Sequence, residues 1–230
     1  MKTIGLLGGM SWESTLSYYR ALNEGVKENL GGFHSAKVLL YSVNFQEIET
    51  LLGEKRWDDI ARILSEAARR VEAGGADFLL LCTNTMHKVF ASLEKSVALP
   101  LLHIADATAE EIKRRGYKKV GLLGTGFTME DDFYRGRLAE KHGIETLVPE
   151  KDDRTFINDA VFKELCLGKI LENSRKRHVS IINDLAERGA EAVILGCTEL
   201  ALLIKPDDVT LPLLDTTSLH ARAAVRKALE

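Results

Sequence analysis

Lys2-Thr3-Ile4-Gly5-Leu6-Leu7-Gly8 is echoed half a chain later by Lys119-Val120-Gly121-Leu122-Leu123-Gly124. Each run leads into a polar, Gly-containing turn and a helix-like segment with an aromatic-Tyr-Arg signature, Tyr18-Tyr19-Arg20 and then Phe133-Tyr134-Arg135. Leu81-Cys82-Thr83-Asn84-Thr85 then answers to Gly196-Cys197-Thr198-Glu199, and Leu99-Pro100-Leu101-Leu102 to Leu211-Pro212-Leu213-Leu214. The matches keep their order at offsets of 112 to 116 residues, with the cysteines 115 apart (197 − 82). An internal duplication follows, with a first domain over 1–115 carrying Cys82 and a second over 116–230 carrying Cys197. The last helix is free to cross back to the first domain.

Within each half, apolar runs alternate with amphipathic segments. Strands are expected near Thr3–Leu7, Lys37–Val43, Phe78–Leu81 and Leu101–His103, then Val120–Leu123, Thr146–Val148, Ala192–Leu195 and Leu213–Leu214. The clearest helix is Trp57 to Glu72, with Ile60, Ile63, Leu64, Ala67, Ala68 and Val71 on one stripe. Strands that are apolar throughout and separated by helices predict an α/β fold of two similar domains, each a parallel sheet flanked by helices. Ligands of such sheets bind beyond the carboxyl ends of the strands, which puts the expected active site in the cleft between the domains.

Composition narrows the function. A net charge of −3 gives no basic field for nucleic acid or anionic lipid, and no apolar run approaches the length of a membrane helix. Three cysteines make no disulfide framework, so a cytoplasmic, reducing setting is expected. Gly5-x-x-Gly8-Gly9 is neither a P-loop nor a dinucleotide fingerprint. The six histidines show no ligand spacing, and neither cysteine has a C-x-x-C companion, so no metal site is expected.

A lone cysteine at a strand end is usually core packing. Two in apparent register, each followed by Thr and a polar residue at a helix start, point to chemistry. Helix N-termini favour the thiolate, which can act as a base at neutral pH. Cys166 has no counterpart in the first half and reads as helix packing.

Gly8-Gly9-Met10-Ser11-Trp12-Glu13-Ser14-Thr15, Cys82-Thr83-Asn84-Thr85-Met86-His87 and Gly196-Cys197-Thr198-Glu199 resemble the aspartate/glutamate racemase family across essentially the whole chain, and the broad-specificity amino-acid racemase branch in particular. The resemblance implies a cofactor-independent racemase in which Cys82 and Cys197 are the two catalytic acid/base groups. It implies substrate contacts from Met10, Ser11, Thr83, Asn84, Thr85 and Thr198. Thr125 and Thr128, on the equivalent loop of the second half, and Gln46 and Glu199 are further substrate-binding candidates. It also implies a small-molecule amino-acid substrate and a homodimer, with no pyridoxal phosphate. Relatives that prefer aspartate hold its distal carboxylate with basic side chains, whereas the matching segments here read Asn44-Phe45-Gln46 and Leu165-Cys166-Leu167. Strict aspartate specificity is therefore not expected. The alternatives are maleate isomerase, hydantoin racemase and decarboxylase chemistries of the same superfamily, and a non-catalytic ligand-binding protein.

Overall fold

All eight expected apolar runs are strands in the computed structural model, which describes residues 1–230. They form two four-stranded, all-parallel sheets. The first has the order β2-β1-β3-β4, built from β1 (Ile4–Gly8), β2 (Val38–Ser42), β3 (Phe78–Leu81) and β4 (Leu101–Leu102). Its connections are α1 (Trp12–Leu30), α2 (Phe45–Gly53), α3 (Trp57–Ala73) and α4 (Phe90–Ser96). The second has the order β6-β5-β7-β8, from β5 (Lys119–Gly124), β6 (Glu145–Leu147), β7 (Val193–Gly196) and β8 (Leu213–Asp215). Its helices are α5 (Ile104–Arg114), α6 (Gly126–Glu130), α7 (Asp132–His142), α8 (Lys151–Lys163), α9 (Glu172–Glu187) and α10 (Leu200–Leu203), and the chain closes with α11 (Thr216–Leu229).

Two compact units result: Met1–Ile104 together with His220–Glu230, and Ala105–Leu219. Most of α11 thus belongs to unit 1, where Ala221, Ala224 and Val225 pack on Ile4, Leu6, Tyr18, Leu22 and Val26. Unit 2 gathers its core around Ile157 and Val161 of α8 and Ile181, Ile182 and Leu185 of α9. In α3, Ile60, Leu64 and Val71 are buried at helical spacing, each contributing roughly 1.5–3 kcal/mol. The helix ends at Gly74, and Gly75 follows at φ +89°, a conformation that favours glycine. In unit 2, the Asp106 carboxylate of α5 accepts both Arg137 nitrogens at 2.7 Å and also meets Lys141 and His142 of α7. Burial alone would raise its pKa. The bonds from Arg137, His142 and Lys141 instead hold it far below the usual carboxylate range.

The strand pairings give the true correspondence between the units. Thr3 N–H donates to the Asp77 carboxylate and Asp77 N–H to Thr3 O, and Lys119 and Glu191 make the same exchange. Gly5 pairs with Leu79 and Gly121 with Val193; Leu79 pairs with Leu101 and Val193 with Leu213. Both neighbours of the central strand therefore make Leu79 equivalent to Val193, an offset of 114 (193 − 79).

Candidate active site

At the carboxyl end of β1, the Gly8-Gly9 turn is forced by crowding. A Cβ at Gly8 would lie 2.6 Å from Thr15 Oγ1, the atom that accepts the Gly9 N–H at 2.8 Å. Thr15 Oγ1 in turn donates to Ser11 O at 3.0 Å. Ser11 caps α1, its Oγ accepting Ser14 N–H at 3.3 Å, and both Met10 and Ser11 are buried. Unit 2 repeats the device at Gly124, where an added Cβ would meet Thr128 Cβ at 3.1 Å and Gly196 O at 3.0 Å. Thr125 caps α6, its Oγ1 accepting Thr128 N–H at 3.3 Å and lying 3.2 Å from Thr128 Oγ1. Gly126 N–H donates to Asn158 Oδ1 at 2.9 Å, a contact from α8 that no sequence motif marks.

The two cysteines do not occupy matching positions. With Leu79 equivalent to Val193, Cys82 stands at the station of Gly196, and Thr83 is the counterpart of Cys197. Packing agrees, because a one-residue shift along a strand sends a side chain to the other face of the sheet. Cys82 lies with Tyr18, Leu22 and Ala224 under α1 and α11. Cys197 lies with Ile157, Ile181 and Leu185 under α8 and α9. The sequence offset of 115 is one residue off the structural offset of 114, and that corrects the reading of a matched pair of thiols.

The expected lowering of both thiol pKa values is also corrected. Cys82 has no exposed surface, and burial alone pushes its thiol far up. Burial likewise raises the Cys197 thiol well above its ordinary value, and the Glu199 charge adds to it. The helices that were to stabilise thiolates are too short for a strong macrodipole. A 3₁₀ turn over Thr85–Val89 follows Cys82, and the four-residue α10 follows Cys197.

Cys197 instead has a local partner. Its Sγ–H donates to Glu199 Oε2 at 3.0 Å, and Thr198 Oγ1 donates to the same oxygen at 2.6 Å. Glu199 is buried, so one carboxylate oxygen gathers a thiol and a hydroxyl out of water. Sequence reasoning placed Glu199 among substrate contacts and did not see this role.

In unit 1, Thr83, Asn84 and Thr85 are buried in a turn held by His87. His87 Nε2 accepts Ile104 N–H at 3.2 Å, which leaves Nδ1–H to donate to Thr83 O at 2.7 Å. His87 stacks on Phe90 and lies 4.5 Å, centroid to centroid, from His103. His220 Nε2–H donates to Leu102 O at 2.9 Å, and its Nδ1 accepts the Tyr18 hydroxyl at 2.8 Å. The sequence showed only that the histidines lack ligand spacing, because their partners, Thr83 O, Ile104 N–H, Leu102 O and the Tyr18 hydroxyl, are scattered along the chain. Gln46 is exposed on α2 and turns its amide to Glu49 and Thr50 of the same helix. No group of three or more His, Cys, Asp or Glu side chains is arranged to hold a metal, and no helix is long and apolar enough to cross a membrane.

The family model for Asp/Glu/hydantoin racemases matches residues 7–224. A Yersinia pestis structure described as a candidate Asp/Glu racemase superposes with a TM-score of 0.94 at 52% identity, covering 100% of both chains. An aspartate racemase homologue from Pyrococcus horikoshii OT3 superposes at 0.87 with 39% identity, again over 100% of both. The broad-specificity amino-acid racemase RacX of Bacillus subtilis (strain 168) is 22% identical over 73% of this chain and 72% of its own length.

Proposed function

The chain belongs to the Asp/Glu/hydantoin racemase family, and on that premise we propose that it interconverts L- and D-amino acids in the cytoplasm without a cofactor. The observation that carries the reading is the Cys197–Glu199 contact at 3.0 Å. An α-proton is very weakly acidic, so its removal needs a thiolate in a dry site with donors on the carboxylate where enolate-like charge builds. In the proposed cycle the Cys197 proton passes to Glu199, and the thiolate takes the α-proton from one face of the carbon. A proton donor of unit 1 delivers to the other face, and the site resets as Glu199 releases its proton to solvent and the donor takes one back from solvent.

Cys82 was the expected donor, but the register supports the Thr83 hydroxyl as the group at the station equivalent to Cys197. Ser11, Asn84, Thr85, Thr125, Thr128 and Thr198 supply buried or half-buried polar side chains beside the strand ends, suited to the substrate's carboxylate and amine, and Met10 offers a buried apolar side chain beside Ser11. The lack of Arg or Lys in Asn44-Phe45-Gln46 and Leu165-Cys166-Leu167 supports acceptance of neutral side chains.

Proton NMR of single amino acids in D2O tests the proposal. Loss of the α-proton signal and growth of the opposite enantiomer are expected with wild type, and both are to vanish in Cys197→Ser. If Cys82→Ala abolishes exchange and Thr83→Ala leaves it intact, Cys82 is the donor and the register argument fails. A second reading is favoured by the single thiol among equivalent stations: a decarboxylase, which needs one proton donor. Release of CO2 from a malonate-type substrate, with no α-proton exchange in amino acids, would select it.

A further inference from the structure

A helix begins with N–H groups that its own turns cannot receive. The helix after β8 meets this need locally, because Asp215 Oδ1 accepts the N–H groups of Thr217 and Ser218 at 3.0 and 3.4 Å. The pairings of β4 and β8 put His103 at the station of Asp215, an offset of 112 (215 − 103). The N–H of Ile104, at the start of α5, goes to a side chain from another element, His87 Nε2, at 3.2 Å. That imidazole is buried, and its other nitrogen, Nδ1, donates to Thr83 O at 2.7 Å. One ring therefore ties the end of β3 to the end of β4.

The tie falls on Thr83, the residue at the station equivalent to Cys197. Cys82 N–H donates to Leu7 O at 3.0 Å, and the chain then leaves the strand. Side chains hold the carbonyls on either side of the Thr83 Cα. Ser14 Oγ donates to Cys82 O at 3.1 Å, and His87 Nδ1–H holds Thr83 O. Peptide units are planar, so fixing both of them fixes φ and ψ between them and with these the direction of the Thr83 side chain. In unit 2 the matching carbonyl, Cys197 O, accepts a backbone N–H, that of Leu200, at 3.1 Å. The offset of 114 puts Ala201 at the station of His87 (87 + 114). Unit 1 thus spends a buried imidazole where unit 2 uses its own backbone.

We propose that His87 is a positioning residue for racemisation: its bond to Thr83 O sets the direction from which the Thr83 hydroxyl delivers its proton. This rests on the racemase reading with Thr83 as the donor of unit 1. An aliphatic hydroxyl is a weaker acid than a thiol, so its proton moves only when donor and carbon are held in line. His87 is not itself the acid or base, because the ring is buried and both of its nitrogens are engaged by backbone groups. The Ile104 bond requires a bare Nε2, which leaves the ring hydrogen on Nδ1, where Thr83 O receives it. Phe90 stacks on the ring at 5.6 Å and 11°, and His103 packs against it at 4.5 Å, so the ring plane is held as well. The two bonds serve different ends: one secures the start of α5, the other the donor.

Two amide substitutions separate these bonds. In His87→Asn the amide nitrogen takes the place of Nδ1 and keeps the bond to Thr83 O. In His87→Gln the amide oxygen takes the place of Nε2 and keeps the bond from Ile104 N–H. Each variant loses one buried hydrogen bond, so similar drops in urea midpoint are expected. In α-proton exchange, His87→Gln is expected to lower kcat about 100-fold at an unchanged KM, the scale of a misplacement of about 1 Å. His87→Asn is expected to recover kcat to within about fivefold of wild type. A role confined to folding would make kcat follow the urea midpoint alike in both variants. That outcome, or a His87→Gln kcat within about threefold of wild type, overturns the proposal and leaves the racemase reading standing. If neither variant folds, the ring nitrogen NMR shifts of His87 in the wild type decide: a bare Nε2 supports the proposal, and a proton on Nε2 overturns it. A wild type that exchanges no α-proton sinks the racemase reading and this proposal together.

Discussion

The two central strand ends carry the same scaffold and different chemistry. In unit 1 the end of β3 turns a thiol, Cys82, into the core and brings Thr83 to the station that Cys197 holds in unit 2. In unit 2 the core-facing station is Gly196, where an added Cβ would lie 2.8 Å from Leu123 O and 2.9 Å from Leu122 Cδ1. Duplication has preserved backbone stations and let side chains drift among them. A residue's letter is therefore weaker evidence of equivalence than its hydrogen-bonded partner.

The widest test of this asymmetry is catalytic. Cys197→Ala is expected to lower α-proton exchange by about 10³-fold or more, within the range typical of lost acid–base groups. Cys82→Ala is expected to cost less than about tenfold. Equal losses would restore the symmetric pair.

The next separates the units by pH. Burial depresses the pKa of His220, in unit 1, to about 4. A buried histidine that stays neutral when folded but takes a proton near pH 6.5 when unfolded stabilises the fold above pH 6.5. That contribution is lost as pH falls toward 4, about 3 kcal/mol in all. Denaturant midpoints measured from pH 7 to 4 should decline, and His220→Gln should flatten the decline. His178 of unit 2 is also held low by burial, so a residual slope should remain.

Smaller effects probe the strand ends and the caps. Gly196→Ala should destabilise by about 2 kcal/mol through overpacking, while Cys82→Ala should cost about 1 kcal/mol as a small cavity. Reversal of that order in urea melts would contradict the assigned register. Ser11→Ala and Thr125→Ala each remove an N-cap, at about 1 kcal/mol apiece. The loss at Ser11, which caps a 19-residue helix, should exceed that at Thr125 on the five-residue α6.

Strand positions and fold class were legible in the sequence because β1, β3 and β7 are buried throughout, and β5 from Val120 onward, which leaves unbroken apolar runs. The same property hid the register. Phe78-Leu79-Leu80-Leu81 has no polar alternation to say which residue faces which helix layer. Connections of unequal length also slide the offset from 116 at β1 and β5 to 114 at β3 and β7 and 112 at β4 and β8, so matching by cysteine landed between steps. The Gly8-Gly9 and Thr125 turns were readable because crowding against Thr15 and Thr128 leaves only glycine at Gly8 and Gly124. The acid partner of Cys197 was in plain view two residues on, yet its role depends on a side-chain rotamer that no pattern encodes.

The return of α11 to unit 1 bears on the order of events during synthesis. Unit 2 is one continuous stretch, complete once Leu219 has left the ribosome. Unit 1 begins emerging first but lacks Ala221, Ala224, Val225 and the His220 partner of Tyr18 until the final residues appear. The portion translated earlier is thus the later one to finish, waiting on contacts some 200 residues away.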